Sequence, residues 1–161
     1  MFARIDRVLD ALLFGVLATM AGIVAANVFC RFVLQFSLYW GDEAAQALLV
    51  WLTFLGAAVA VRERAHYAFD YLATYSRGAL QLIVGVASRV IALLILLAFL
   101  YWSARVTWGI RPWTMPAMGI SRAYVYAAGP VGSALMLLYG VRDLARLIRE
   151  HRASLRPVAA T

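Results

Sequence analysis

The chain has no lysine, one cysteine and two histidines among its 161 residues. Each scarcity removes a class of chemistry. The lone Cys30 cannot close an internal disulfide, and with no CxxC pair there is no thiol redox couple. His66 and His151 are too few for paired-histidine haem ligation inside a bilayer. Recognised catalytic patterns are missing too: there is no GxSxG, no P-loop, no HExxH and no glycine fingerprint between a strand and a helix. The serines Ser37, Ser88, Ser103, Ser121 and Ser133 have no neighbouring base in sequence. These absences argue for a protein that is not an enzyme and that uses no cofactor or metal. Charge is scarce as well, at 14% of residues, with 8 acids against 15 arginines and a net charge of +7.

Apolar residues are abundant. They make up 65% of the chain, and mean hydropathy is +0.80. Soluble domains hold about 45–50% apolar residues, so a chain of this size could not hide the excess from water. The class is an all-α integral membrane protein, read as a single domain. Long unbroken apolar runs exclude a β-barrel, whose strands alternate in polarity. In that setting the basic balance marks loops facing anionic lipid headgroups, and no nucleic acid is implied.

Four transmembrane helices are expected, at about 8–31, 42–61, 79–108 and 121–141. The first follows a basic start at Arg4 and Arg7, but its apolar run from Val8 to Cys30 exceeds the roughly 7–15 residues of a signal-peptide core. An uncleaved helix is expected there. Asp6 and Asp10 suit its N-terminal dipole. Ala18, Gly22 and Ala26 form a small-residue stripe, and Asn27 and Arg31 share a face at its far end. Arg31 reads equally as an interface anchor or as a contact with another helix or subunit. In the second helix, Gly56 and Ala60 repeat the small-residue spacing.

Between the second and third helices, Tyr67, Tyr71 and Tyr75 recur at helical spacing and predict a short interfacial helix over about 65–77. Arg89 is expected to snorkel from a long third helix; burial against a partner is the other reading. Pro130 predicts a kink in the fourth helix, because it removes a backbone donor and crowds the Tyr126 carbonyl. From 142 to 161 the sequence reads as a basic amphipathic tail lying on an anionic leaflet. With four spans, and Arg89 left uncounted within the third, ten arginines fall on the side of the termini and four on the other, which argues for both termini in the cytoplasm.

Two polar constellations flank the second helix. Asp42 and Glu43 open it, where unpaired N–H groups and the dipole welcome carboxylates. Helix capping is the leading reading, ahead of a partner contact and of proton or cation transport. Arg62, His66 and Asp70 are spaced by four, with Glu63 beside them, and a helix would gather them on one face. The set can close salt bridges and grip a partner. A metal site is the lesser alternative, since only one histidine is present.

In order and spacing, these features resemble a known family. Asn27-x-x-x-Arg31, Trp40-x-x-Glu43, the run Trp51-Leu-Thr-Phe-Leu-Gly56, Arg62-Glu63-x-x-His66 with Asp70, and Pro130-x-Gly132 are similar to the DctQ-type small membrane subunit (Q subunit) of tripartite ATP-independent periplasmic (TRAP) transporters. The resemblance implies a multi-pass protein of the bacterial inner membrane. It implies a large multi-span permease subunit as partner and transient docking of a periplasmic solute-binding protein. It also implies sodium-driven uptake of an organic acid in which this chain scaffolds and anchors the large subunit and holds no substrate site. Two alternatives stand beside it. One is a self-sufficient four-helix exporter with Glu43 as proton carrier. The other is a four-helix anchor for a different membrane complex.

Overall fold

A computed structural model describes the backbone at residues 2–75 and 79–154 and the side chains at 5–63, 83 and 85–149. Its elements are α1 (Phe2–Phe32), α2 (Gly41–Tyr75), α3 (Ala79–Gly109), a single turn α4 (Ala123–Tyr126) and α5 (Ala128–Ser154). Four stretches are long and apolar enough to cross a membrane: Ile5–Phe32, Gly41–Glu63, Gly85–Gly109 and Ala123–Arg149. The fourth combines α4 and α5. The all-helical, four-span expectation is therefore met. The backbone of α2 continues without a break to Tyr75, through the described part of the segment expected to form a separate interfacial helix. Likewise α5 continues into the expected tail.

Pro130 breaks the fourth span between Tyr126 and Ala128. Proline has no N–H to offer the Tyr126 carbonyl, and that oxygen instead accepts from Thr107 Oγ1 on α3 at 3.1 Å. The Trp51 indole N–H on α2 donates to the neighbouring Tyr124 carbonyl at 3.1 Å. The break is thus stitched to the helices on both sides.

Helix α5 is wedged between α2 and α3, which touch each other only weakly, and α1 rests on α2. In spatial order the helices run α1, α2, α5, α3. This is a row, where four helices can also close into a ring. Its core sits in the half that carries the termini. There Leu9 of α1, Leu55 and Ala58 of α2, and Met136 and Tyr139 of α5 are buried together. Most other large apolar side chains face outward; Phe14 is 72% exposed and Ile95 64%. In water that would be untenable, whereas in a bilayer the acyl chains are their solvent.

Glycine sets the closest approach. A Cβ built on Gly132 of α5 would lie 2.7 Å from Phe54 Cβ and 3.2 Å from the Phe54 carbonyl oxygen on α2. Next to it, Ser133 is fully buried and donates back to the Gly129 carbonyl at 2.8 Å. Gly56 is less constrained, with only Leu13 Cδ1 within reach at 3.8 Å.

Candidate functional site

The chemistry-bearing side chains gather at the two ends of the span. At the end away from the termini, Asn27 stands near the end of α1. Its amide donates to Asp42 Oδ1 at 2.9 Å, and its own oxygen accepts from the Leu38 N–H at 3.2 Å. One side chain thereby fixes the first link and the start of α2. Gly41 leaves room for it, since a Cβ there would lie 3.3 Å from Asn27 Cγ. Trp40 stands just ahead, 37% exposed, with its carbonyl accepting from the Ala44 N–H at 3.0 Å. Arg31 is exposed beside this corner and lines a small cleft with Asn27 and Asp42.

Glu43 reaches across to the link between α3 and α4. Its carboxylate accepts the Ala117 N–H at 3.0 and 3.1 Å and the Met118 N–H at 3.0 Å. The link is folded to present them. Thr114 and Ser121 pair across it, Met115 and Ile120 close it at 2.8 Å, and Gly119 turns the chain at a φ of 68°. A positive φ favours glycine at that position. The sequence places Glu43 in the first turn of a helix, as capping requires. Its acceptor capacity, however, goes to a turn 74 residues away, whose N–H groups have no helix of their own to serve.

At the other end, Arg62 of α2 binds Asp10 of α1 at 2.9 Å, with Asp6 at 3.9 Å and the adjacent Glu63 at 3.4 Å. The Tyr139 hydroxyl of α5 donates to Asp6 Oδ1 at 2.8 Å. Nearby, Arg89 Nε of α3 donates to Asp143 Oδ2 of α5 at 2.6 Å and its Nη1 to the Gly85 carbonyl at 3.1 Å. The pair is mostly buried, at 15% and 17% side-chain exposure. Arg89 is thus mostly buried against a carboxylate of its own chain, which favours burial against a partner over the expectation that it snorkels. A cleft of about 270 Å³ opens among these groups.

Of the residues singled out in sequence, Asn27, Trp40 and Glu43 come together at one end, and Arg62 and Glu63 stand at the other. Pro130 and Gly132 shape the α2–α5 contact, and Gly56 faces α1. The side chains of His66 and Asp70 lie outside the described residues, so the proposed four-spaced face is described only at Arg62 and Glu63. Sequence reasoning missed Tyr139 and Asp143 and treated Asp6 and Asp10 only as dipole partners. A signal was available: Asp6 and Asp10 are four apart, on the face that a cation from another helix would need.

Between the two ends, residues 11–30, 44–61, 90–104 and 123–141 contain no charged side chain. The fold and its polar ends define a multi-span membrane protein whose charged groups fasten its own helices. Comparison with known families makes this specific. The family described as "Tripartite ATP-independent periplasmic transporters, DctQ component" matches residues 20–150, and the chain belongs to it. It is accordingly a multi-pass protein of the bacterial inner membrane and the small permease component of a TRAP transporter.

Two relatives agree. The sialic acid TRAP transporter permease protein SiaT of Haemophilus influenzae is 28% identical over 117 residues, an alignment covering 72% of this chain and 19% of that one. The C4-dicarboxylate TRAP transporter small permease protein DctQ of Pseudomonas aeruginosa is 28% identical over 121 residues, covering 72% and 58%. The chain therefore spans less than two thirds of the length of both relatives.

Proposed function

We propose that this chain works in sodium-driven, binding-protein-dependent uptake of an organic acid, scaffolding and anchoring a large permease subunit without a substrate site of its own. The fate of Glu43 carries this reading. It is the acid that the exporter alternative would need as its proton carrier, and its carboxylate is occupied by two backbone N–H groups. No charged group lies in the middle of any span to receive an anion or a cation. Sialic acid and C4-dicarboxylates, named for the relatives, are both organic acids, which supports that substrate class.

The large subunit needs a face, and α1 offers one. Its stripe of Ala18, Gly22 and Ala26 is exposed, and a Cβ on Gly22 would meet no atom within 4 Å. Small residues let two helices approach closely in lipid. The arginine balance places the termini in the cytoplasm and the links at 33–40 and 109–122 on the periplasmic side. Those links then face the binding protein with exposed Tyr39 and Trp113 and with Trp108, over which Arg111 stacks at 3.5 Å.

The test is reconstitution. Proteoliposomes containing the chain alone, and others containing it with its large subunit and binding protein, receive an inward sodium gradient. Uptake of labelled sialic acid and of a C4-dicarboxylate is followed in each. The chain alone should move neither. Sodium-driven uptake by the chain alone would sink the scaffold reading.

A further inference from the structure

A groove runs down from the end that carries Glu43. Helices α2 and α3 stand apart on one face of the row, with α5 set back between them. They give it a volume of about 690 Å³. Small-molecule sites run about 300–1,000 Å³, so this is space for a substantial ligand. Val50 and Phe54 form one wall, Val106 and Phe99 the other, and Gly129 lies in the floor because it has no side chain. The Phe54 and Phe99 rings stack across the gap, centroids 6.0 Å apart, and close the groove at its lower end.

The mouth is polar. Glu43 lines it, and so does Arg122, whose side chain is exposed and has no ion pair among the described residues. From Glu43 to Phe54 the helix rises about 16 Å at 1.5 Å per residue. That is about half of a 30 Å hydrocarbon core, or one leaflet. A transmembrane helix from another protein would need a channel through both leaflets, and the aromatic stack blocks one. An acyl chain of a single leaflet has the right length, and the cation at the mouth meets the phosphate it carries.

We infer that this groove holds one phospholipid of the leaflet beside the 109–122 link, its acyl chain between α2 and α3 and its phosphate on Arg122. Moving an acyl chain from lipid to an apolar groove gains little, because both are hydrocarbon. Residence is therefore set by the charge-assisted contact between guanidinium and phosphate. The lipid completes the wall between two helices that barely touch. It does not depend on the transport role proposed above.

Native mass spectrometry of the full chain in mild detergent tests this. The probes are phosphatidylethanolamine, diacylglycerol with the same acyl chains, and inorganic phosphate. One phosphatidylethanolamine should be retained per chain, diacylglycerol weakly, and phosphate neither retained nor competing. Arg122→Gln should weaken phospholipid retention by about tenfold, the loss of one charged contact. Ala47→Trp should abolish it by filling the groove, with Val106→Trp as a second variant if the first does not fold by circular dichroism. Equal retention of diacylglycerol, or unchanged phospholipid retention in Arg122→Gln and either tryptophan variant, would overturn the inference. So would a disulfide from Ala47→Cys to a helix of a second copy or of the large subunit in the intact complex, because a helix would then occupy the groove.

Discussion

Replacing Gly132 by alanine adds one methyl group at the closest approach between α2 and α5. The new Cβ would stand 2.7 Å from Phe54 Cβ, 3.2 Å from its carbonyl oxygen and 3.3 Å from its carbonyl carbon. All three atoms are backbone or fixed to it, so no rotamer change relieves the contact. Ordinary contact begins near 3.4 Å, so the helices must part by roughly 0.7 Å. Overpacking of this kind costs about 1–3 kcal/mol. Alanine is also the better helix former, by about 1 kcal/mol. The net is a loss of up to about 2 kcal/mol. Gly22→Ala is the matched control: nothing lies within 4 Å, so the helix term acts alone and stability should rise by up to about 1 kcal/mol. Thermal unfolding of each variant in detergent reads both signs. A Gly132→Ala protein that unfolds above the wild-type temperature, or two variants shifted in the same direction, would refute the reasoning.

The Arg89–Asp143 pair is mostly buried, so Arg89→Leu and Asp143→Leu should each lose about 3 kcal/mol, with the double variant losing clearly less than their sum; additive losses in a double-mutant cycle would show that the two do not act as a pair. Glu43→Gln keeps one acceptor but turns an amide N–H₂ toward the Ala117 and Met118 donors. Limited proteolysis should then cut the 109–122 link faster and yield of the complex with the large subunit should fall; wild-type protection and yield with lost proton coupling would favour the exporter alternative. Thr107 Oγ1 lies within hydrogen-bond distance of both the Ser103 and Tyr126 carbonyls, so Thr107→Val should cost about 1 kcal/mol and Thr107→Ser much less, read by unfolding in detergent. Equal losses in the two variants would mean that packing, not the hydroxyl, matters there.

Hydrophobicity made the spans legible in sequence, because a helix that crosses a bilayer needs a long apolar run. Helix ends were less so. The expected stops at Val61 and Val141 follow from the charges beyond them, yet charges end a membrane segment without ending a helix, and α2 and α5 continue to Tyr75 and Ser154. Pro130 was read as a kink, since the missing N–H is a local fact, and the span is interrupted one turn before it. The partner of the freed Tyr126 carbonyl was out of reach, because Thr107 lies in a different helix. The same holds at the site. Glu43 stood out as an acid at a helix start, but its hydrogen-bond donors lie in a link whose turn depends on Gly119 and on pairing between Thr114 and Ser121. Arg89 looked exposed because Asp143, read as part of an amphipathic tail, was assigned no structural role.

The spatial order of the helices explains why the polar residues sit where they do. In lipid, apolar surface does not favour protein over solvent, so burial alone cannot choose neighbours or register. Something else must fasten each adjacent pair in the row. Between α1 and α2 it is Asn27 with Asp42 at one end and Asp10 with Arg62 at the other. Between α5 and α3 it is Asp143 with Arg89. At the break in the fourth span, Trp51 and Thr107 hold the chain to α2 and α3. Between α2 and α5, where the spans are uncharged, the device is Gly132 seated on the Phe54 backbone. A few residues therefore specify the arrangement, and the remaining apolar surface is free to vary so long as it stays apolar. That freedom fits a family member only 28% identical to its relatives. It also follows that disruptive substitutions should cluster at these fasteners, while exchanges among outward apolar side chains such as Phe14 and Ile95 should leave the chain intact.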